Sequence, residues 1–242
     1  MFETLASSEG WISLVTLIFM EIILGVDNII FISIIANRLQ ENERARGRLL
    51  GLGMAMIIRL LLLFGIAFII SLTKPWFTLF DIEISGHNLI MLAGGLFLLF
   101  HTTREIHTKI EGEDENPELI KGSKFGKVII QIALINLVFS VDSILTALGM
   151  TDDIGVMMLA IVLSMIFMIA FAGRVSDFIN RHPTMKMLAL SFLLMIAILL
   201  IADGLHYHID KRFIYFSMAF SFFVEFLNMR MRKKRQAPEA PL

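Results

Sequence analysis

The sequence predicts an all-α polytopic membrane protein with seven transmembrane helices, and three observations lead to this fold class. The 242 residues are 57% hydrophobic, with a mean hydropathy of +0.77, whereas soluble domains are roughly 45–50% apolar. Seven apolar segments each approach the length of about 20 residues that a helix needs to cross a bilayer. No segment alternates at the strand period, so we do not expect a β-barrel.

The seven predicted spans follow one another along the whole chain. The first span is too long for the apolar region of a signal peptide and has no basic segment before it, so we expect it to be retained. The chain is therefore predicted to be a single transmembrane domain, followed by a basic tail at residues 230–242. The spans cover residues 11–36, 49–72, 88–107, 126–149, 154–176, 185–205 and 212–229.

The distribution of positive charge orients these spans, because cytoplasmic loops are rich in lysine and arginine. With the N-terminus outside, the inner segments hold 17 of the 21 Lys and Arg residues. The outer segments hold only Lys74, Lys211 and Arg212, while Arg59 lies within the second span. We therefore expect the N-terminus outside and the C-terminus inside, with the lipid bilayer as the first partner.

Composition also excludes several kinds of site. The chain has no cysteine, which rules out disulfides and thiolate metal sites. A net charge of −1 argues against a nucleic-acid partner. The H-E-x-x-H, G-x-S-x-G, Walker A and G-x-G-x-x-G motifs are missing, so we expect neither an enzyme nor a prosthetic group. An intramembrane aspartyl protease is the enzymatic alternative.

An internal repeat relates the first three spans to the next three. The segment FMEIILGVDNII (19–30) aligns with LINLVFSVDSIL (134–145) at a shift of 115 residues, which places Asp27 on Asp142. Spans 3 and 6 also resemble each other. Because each unit has three spans, repeat 1 (about 11–107) and repeat 2 (about 126–205) run in opposite directions, as in many transporters. The helix at 212–229 is added to this inverted 3+3 repeat.

Polar residues inside spans 1 and 4 predict a cation site between the repeats. A charge at the bilayer centre costs about 2.5–3.5 kcal/mol on insertion scales, so Glu21, Asp27 and Asp142 require a counter-charge. Oxygen-only surroundings suit Mn²⁺, Mg²⁺ or Ca²⁺. Alternatively, the carboxylates carry protons or bind an organic cation. A third alternative is that these polar groups only fix helix packing through interhelical hydrogen bonds. Gly25 and the Asp27–Asn28 pair further predict local unwinding of span 1. The neutral oxygen ligands would come from Asn28, Asn136, Ser140 and Ser143.

Arg59 is a candidate for gating or coupling, because a guanidinium inside a membrane requires a carboxylate partner. The pair would be either a static structural element or an internal cation that occupies the carboxylates when the substrate is absent. The candidate partners are Glu21, Asp27, Asp142 and Glu225.

Two further groups complete the candidates. Glu225 and Asn228 share one face of span 7 with two serines, where Glu225 either has a functional role or simply reaches water near the cytoplasmic end. Asp203 ends span 6, close to a His-x-His pair that either binds a metal or belongs to a short polar loop. This second group consists of Asp203, His206, His208 and Asp210.

Five segments together resemble the TerC family, which is named for its association with tellurium resistance. They are EIILGVDNIIF (21–31), NLVFSVDSILTA (136–147), HPTMKMLALSFL (182–193), ADGLHYHI (202–209) and YFSMAFSFFVEFLNMR (215–230). The resemblance implies a seven-helix inner-membrane protein and manganese(II) efflux. It implies motif acids at Glu21, Asp27, Asp142, Asp203 and Glu225, and motif amides at Asn28 and Asn228.

The leading hypothesis is a transporter that exports a divalent metal cation, Mn²⁺ by resemblance, with proton exchange as the driving force. One alternative is a non-transporting membrane partner that assists metalation of secreted proteins, or that sits with the secretion machinery or a stress and tellurite-resistance complex. The other alternative is an exporter of a small organic cation or an amino acid.

Overall fold

A computed structural model describes residues 7–79, 82–111, 125–151, 153–207 and 209–235, apart from the side chains of Ser8, Asp27, Leu79, Ile82 and 233–235. Within these ranges the chain forms eight helices and one two-stranded sheet. The helices are α1 (Ser8–Ala36), α2 (Glu41–Phe64), α3 (Ile66–Leu72), α4 (Gly86–Glu111), α5 (Phe125–Leu148), α6 (Ile154–Arg181), α7 (Pro183–Gly204) and α8 (Lys211–Arg235), and the strands are β1 (Pro75–Leu79) and β2 (Ile82–Ser85).

Six of these helices, α1, α2, α4, α5, α6 and α7, are long and apolar enough to cross a membrane. They coincide with the first six predicted spans, so the prediction of an all-α polytopic membrane protein is confirmed. The span predicted at 212–229 is also helical, as α8, but α8 is not among the six. Large aromatic side chains on the helix surfaces, such as Phe64, Phe100 and Phe216, are about 70% exposed, as expected of helices that face lipid.

Local sequence explains where several helices begin. Ser7 caps α1 by accepting a hydrogen bond from the backbone amide of Gly10, and Asp153 caps α6 by accepting from Gly155 and Val156. Such side-chain acceptors satisfy amides that a helix leaves unpaired in its first turn. Pro183 occupies the first turn of α7, where its missing amide costs nothing.

Two predictions about secondary structure were wrong. Residues 49–72 are not one helix, because the chain breaks at Gly65 between α2 and α3. We also expected no segment to alternate at the strand period, but β1 and β2 pair antiparallel, with Thr78 opposite Glu83. The residues DIEIS (81–85) do alternate at the strand period, but over a length too short for a barrel strand.

The most extensive helix contacts join α4 with α7, α1 with α6, and α2 with α5. Close approach is possible where the sequence supplies glycine. A Cβ atom on Gly25 would lie 2.2 Å from the Met168 sulfur of α6, and one on Gly95 would lie 3.0 Å from the Ala197 carbonyl oxygen of α7. The predicted unwinding of span 1 was wrong, since α1 is continuous through residues 25–28; Gly25 serves helix packing instead.

The bundle has two distinct ends. The hairpin end contains β1–β2, the last turns of α5 and α7 and the first turn of α8; here the Asn88 amide donates to the Gly204 carbonyl at 3.2 Å. The basic end contains the α1–α2 turn, the end of α4, the start of α5 and the α6–α7 turn. At the basic end, Arg38 pairs with Glu105 at 2.6 Å and Asn37 bonds to Asn180 at 2.6 Å.

Candidate functional site

A buried ion pair lies in the middle of the bundle. The Arg59 guanidinium on α2 donates a short hydrogen bond to the Glu21 carboxylate on α1. Glu21 is 2% exposed and Arg59 is 1% exposed. The Nε of Arg59 has no hydrogen-bond partner among the described residues. Of the candidate partners for Arg59, the structure therefore brings Glu21 to it.

The neutral oxygen candidates on α5 are buried and bonded within their own helix. The Asn136 amide donates to the Ile132 carbonyl at 2.9 Å, and the Ser140 hydroxyl donates to the Asn136 carbonyl at 2.5 Å. The Ser143 hydroxyl donates to the Ser140 carbonyl at 3.2 Å. These bonds satisfy the donors and leave oxygen lone pairs as acceptors.

The second half of α1 forms the most enclosed part of the bundle. Asn28 is 4% exposed, and every residue from 28 to 36 is buried. Asp27 belongs to the continuous helix one residue earlier, but its side chain lies outside the described residues. Convergence of Asp27 with Asp142 therefore stays a prediction.

Asp142 meets a cation at the hairpin end. The Lys211 ammonium, from the first residue of α8, lies 2.5 Å from the Asp142 Oδ1 of α5. The same nitrogen lies 3.6 Å from the Asp203 Oδ2 of α7. The two carboxylate oxygens are therefore no more than about 6 Å apart, and one ammonium links three helices.

These residues line a cavity of about 940 Å³, which we call the hairpin-end cavity. Its wall includes Met20, Ile23 and Leu24 of α1, so the cavity extends to the level of Glu21. Beyond that level, residues 28–36 of α1 are buried. The cavity thus runs from the hairpin end to the middle of the bundle and is separated from the basic end by packed helices.

The predicted His-x-His and Asp210 group is only partly described. The ring nitrogen Nε2 of His206 donates to the Glu83 carbonyl of β2 at 2.6 Å, and His208 lies outside the described residues. Asp210 bonds to Arg212, and these hydrogen bonds hold the pKa of its carboxyl below the ordinary value. Among the described residues, no group of three or more His, Asp or Glu side chains is arranged to hold a metal ion.

Glu225 and Asn228 lie apart from the central ion pair. Both are on α8, which packs against α7; the Asn228 amide donates to Glu225 at 3.4 Å, and Thr184 of α7 also bonds to Glu225. Glu225 borders a separate cavity of about 400 Å³ between α7 and α8. The structure therefore distributes the predicted acids over three locations.

Lys211 was missed as a site residue, because its charge was counted only toward topology. A signal was present in the sequence. Only three basic residues fall on the predicted outer side, and Lys211 follows directly after the polar segment ADGLHYHID (202–210). A cation so close to intramembrane acids is a candidate partner for them.

The apolar helices, the buried ion pair and the deep cavity lined by Asp142, Asp203 and Lys211 define a multi-pass helical membrane protein. The family model described as "Integral membrane protein TerC family" matches residues 6–238. The chain therefore belongs to the TerC family, which confirms the resemblance seen in its motifs.

Curated relatives agree with this assignment over nearly the whole of this chain. A UPF0053 protein of Haemophilus influenzae (strain Rd) is 50% identical over 235 residues, covering 96% of this chain and 99% of the relative. The UPF0053 inner membrane protein YgdQ of Escherichia coli K12 is 44% identical, and the match covers 97% of this chain and 98% of YgdQ. YoaE of the same strain is 43% identical, covering 96% of this chain and 45% of YoaE. No solved structure matches the chain. The chain is a multi-pass inner-membrane protein, as predicted.

Proposed function

We propose that this chain is a membrane transporter, rather than an enzyme, and that it exports a divalent metal cation. Mn²⁺ is the proposed substrate because the family resemblance and the oxygen-only donors both favour it. The observation that carries the proposal is the pair of carboxylates, Asp142 and Asp203, which converge on one cation in a cavity that reaches mid-bundle.

The Lys211 ammonium marks where a substrate cation would bind. Hard divalent ions take carboxylate oxygens at about 2.0–2.6 Å. The two carboxylates, about 6 Å apart across the ammonium, need only small side-chain rotations to reach one ion. We infer that Lys211 and the substrate alternate on Asp142 and Asp203, since an ammonium cannot remain between two carboxylates that ligate a divalent ion.

The central ion pair supports a closed barrier below this cavity. Glu21 and Arg59 neutralise each other at the level where the cavity ends. Below them α1 is buried on all sides. This geometry favours a conformation that is open toward the hairpin end, with Asp27 and Asn28 on the path that must open next.

The helix contacts support alternating access between two inverted repeats. In repeat 1, α1 packs on α6 of repeat 2, and in repeat 2, α5 packs on α2 of repeat 1. A two-fold axis in the membrane plane exchanges these two contacts and maps the α4–α7 contact onto itself. We propose that the repeats rock against each other about these contacts, with α8 as a seventh span, the hairpin end outside and proton exchange as the driving force.

The test is Mn²⁺ flux in proteoliposomes, together with Mn²⁺ tolerance of an efflux-deficient bacterial host. We expect Asp142→Asn and Asp27→Asn to abolish both. The matched control is Asp210→Asn, which removes a carboxylate from the same cavity wall but leaves Asp142 and Asp203 intact. Full flux through Asp142→Asn would show that the site is wrong.

The alternative of a non-transporting membrane partner has one specific observation in its favour. Asn136, Ser140 and Ser143 are satisfied by carbonyls of α5, which is what a role in packing alone requires. Wild-type protein that is folded in vesicles yet moves no Mn²⁺ would favour this alternative. Competition of Mn²⁺ flux by an amino acid or an organic cation would favour the third hypothesis.

A further inference from the structure

The basic end of the bundle contains a second cavity, which is separate from the proposed transport path. Its volume is about 560 Å³, within the range of about 300–1,000 Å³ typical of small-molecule sites. Among the described residues, six basic side chains and one carboxylate, that of Glu105, line it. The six are Arg38, Arg44, Arg104, Lys109, Lys127 and Lys186.

These side chains come from separate parts of the chain. The α1–α2 turn, the end of α4, the start of α5 and the start of α7 each contribute. Glu105 holds them in place: it pairs with Arg38 at 2.6 Å and approaches Lys186 at 4.0 Å. Neutral donors, among them Gln131 and Asn180, complete a mainly polar wall.

Membrane topology alone does not require this arrangement. The positive-inside bias works with basic residues anywhere near the span ends, and like charges repel each other when gathered around one cavity. Arg181 and Arg230 satisfy the same bias without lining it. Six cations around one carboxylate therefore indicate that the cavity accommodates an anion.

We propose that this cavity, which we call the basic cavity, binds a phosphate-bearing anion. Arginine and lysine side chains make their strongest hydrogen bonds to phosphate oxygens. The cavity lies at the helix ends, where phospholipid headgroups meet the protein, and it is also open to solutes. The phosphate is therefore either that of an acidic phospholipid or that of a soluble anion. This proposal stands whether or not the chain transports a metal.

The test uses the purified full-length chain at low ionic strength. One arm titrates inorganic phosphate into detergent-solubilised protein. The other arm counts phosphatidylglycerol and phosphatidylcholine retained from mixed nanodiscs by native mass spectrometry. Binding in the first arm assigns a soluble anion, and selective retention of phosphatidylglycerol in the second assigns a lipid headgroup.

The informative variant is Arg104→Gln/Lys127→Gln, because both side chains are exposed and neither forms a hydrogen bond or an ion pair with another described residue. Two basic residues near an anionic group contribute a factor of about ten to thirty in affinity, and we expect that loss. The matched control, Arg181→Gln/Arg230→Gln, removes equal charge at the same end and should change affinity less than about twofold.

Three results would overturn the proposal. The first is equal weakening in the informative and control variants, which would indicate only a diffuse surface charge. The second is no binding of either probe by the wild-type chain. The third is binding that appears only after Glu113, Asp114 and Glu115 are changed to amides, which would make the chain's own acidic connector the occupant.

Discussion

Replacing Arg59 with methionine is the sharpest perturbation of the bundle centre. Arg59 is 1% exposed, and it pairs with Glu21, which is 2% exposed. Arg59→Met conserves much of the side-chain length but leaves the Glu21 carboxylate buried without its guanidinium. The pair lies within the membrane-spanning bundle, where no bulk water is available to solvate the carboxylate that has lost its partner.

The expected loss follows from the burial of the pair. Removing one partner of a buried ion pair costs about 3–5 kcal/mol, whereas replacing both partners with apolar residues is often close to neutral. For a chain of this size, about 2–4 °C of thermal midpoint corresponds to 1 kcal/mol. Arg59→Met should therefore lower Tm by roughly 6–20 °C, while Glu21→Leu/Arg59→Met should recover most of that loss.

The assay is thermal unfolding of the four species (wild type, both single variants and the double variant) in one detergent, analysed as a double-mutant cycle. The matched control is Arg212→Met, which breaks an ion pair that is exposed at the hairpin end and should leave Tm unchanged. Losses that simply add in the double variant, or an Arg59→Met protein as stable as wild type, would refute a coupled buried pair.

Three other substitutions test separate features. Lys211→Met should tighten Mn²⁺ binding about tenfold and slow its release, because the competing ammonium is gone; equilibrium binding and vesicle flux measure the two effects. Gly95→Ala should destabilise the α4–α7 contact by about 1–3 kcal/mol, since its Cβ would lie 3.0 Å from the Ala197 carbonyl oxygen. The control, Gly53→Ala, adds a Cβ with nothing within 4 Å and should be neutral or stabilising in the same thermal-unfolding measurements. His206 has a φ of 65°, so His206→Val should cost about 1–2 kcal/mol more than His206→Asn.

Sequence periodicity and length were enough to locate the helices, because a membrane span must be both long and apolar. All six spans that meet this criterion were predicted to within a few residues at most boundaries. The exceptions are the two ends of α2. It begins at Glu41 rather than residue 49, because its first turns are polar and extend beyond the apolar segment, and it ends at Phe64 rather than residue 72, because the chain breaks at Gly65. Helix continuity is harder to predict, since a glycine such as Gly65 breaks one helix while Gly25 packs inside another.

Charge partners were predictable only where the alternatives were few. A guanidinium within a span requires a carboxylate, and four were available to Arg59; the choice of Glu21 depends on the contact between α1 and α2, which no pattern within a single helix specifies. The pairing of Asp142 with Lys211 depends on how α8 returns to the bundle. Lys211, the first residue of α8, contacts Asp142 of α5 across a separation of 69 positions in the sequence. No local motif can reveal a contact over that distance.

The helix outside the repeat makes the two matched aspartates unequal. Asp27 and Asp142 occupy equivalent positions in the sequence repeat, and inversion alone would give them related environments. However, α8 has no counterpart in repeat 1, and its Lys211 reaches the aspartate of repeat 2. At the bundle centre the repeat is also broken, since Glu21 with its arginine corresponds to the neutral Asn136. A cation that passes Asp142 would therefore meet a built-in competitor there, which is why the effect of Lys211→Met on binding should vanish in an Asp142→Asn background.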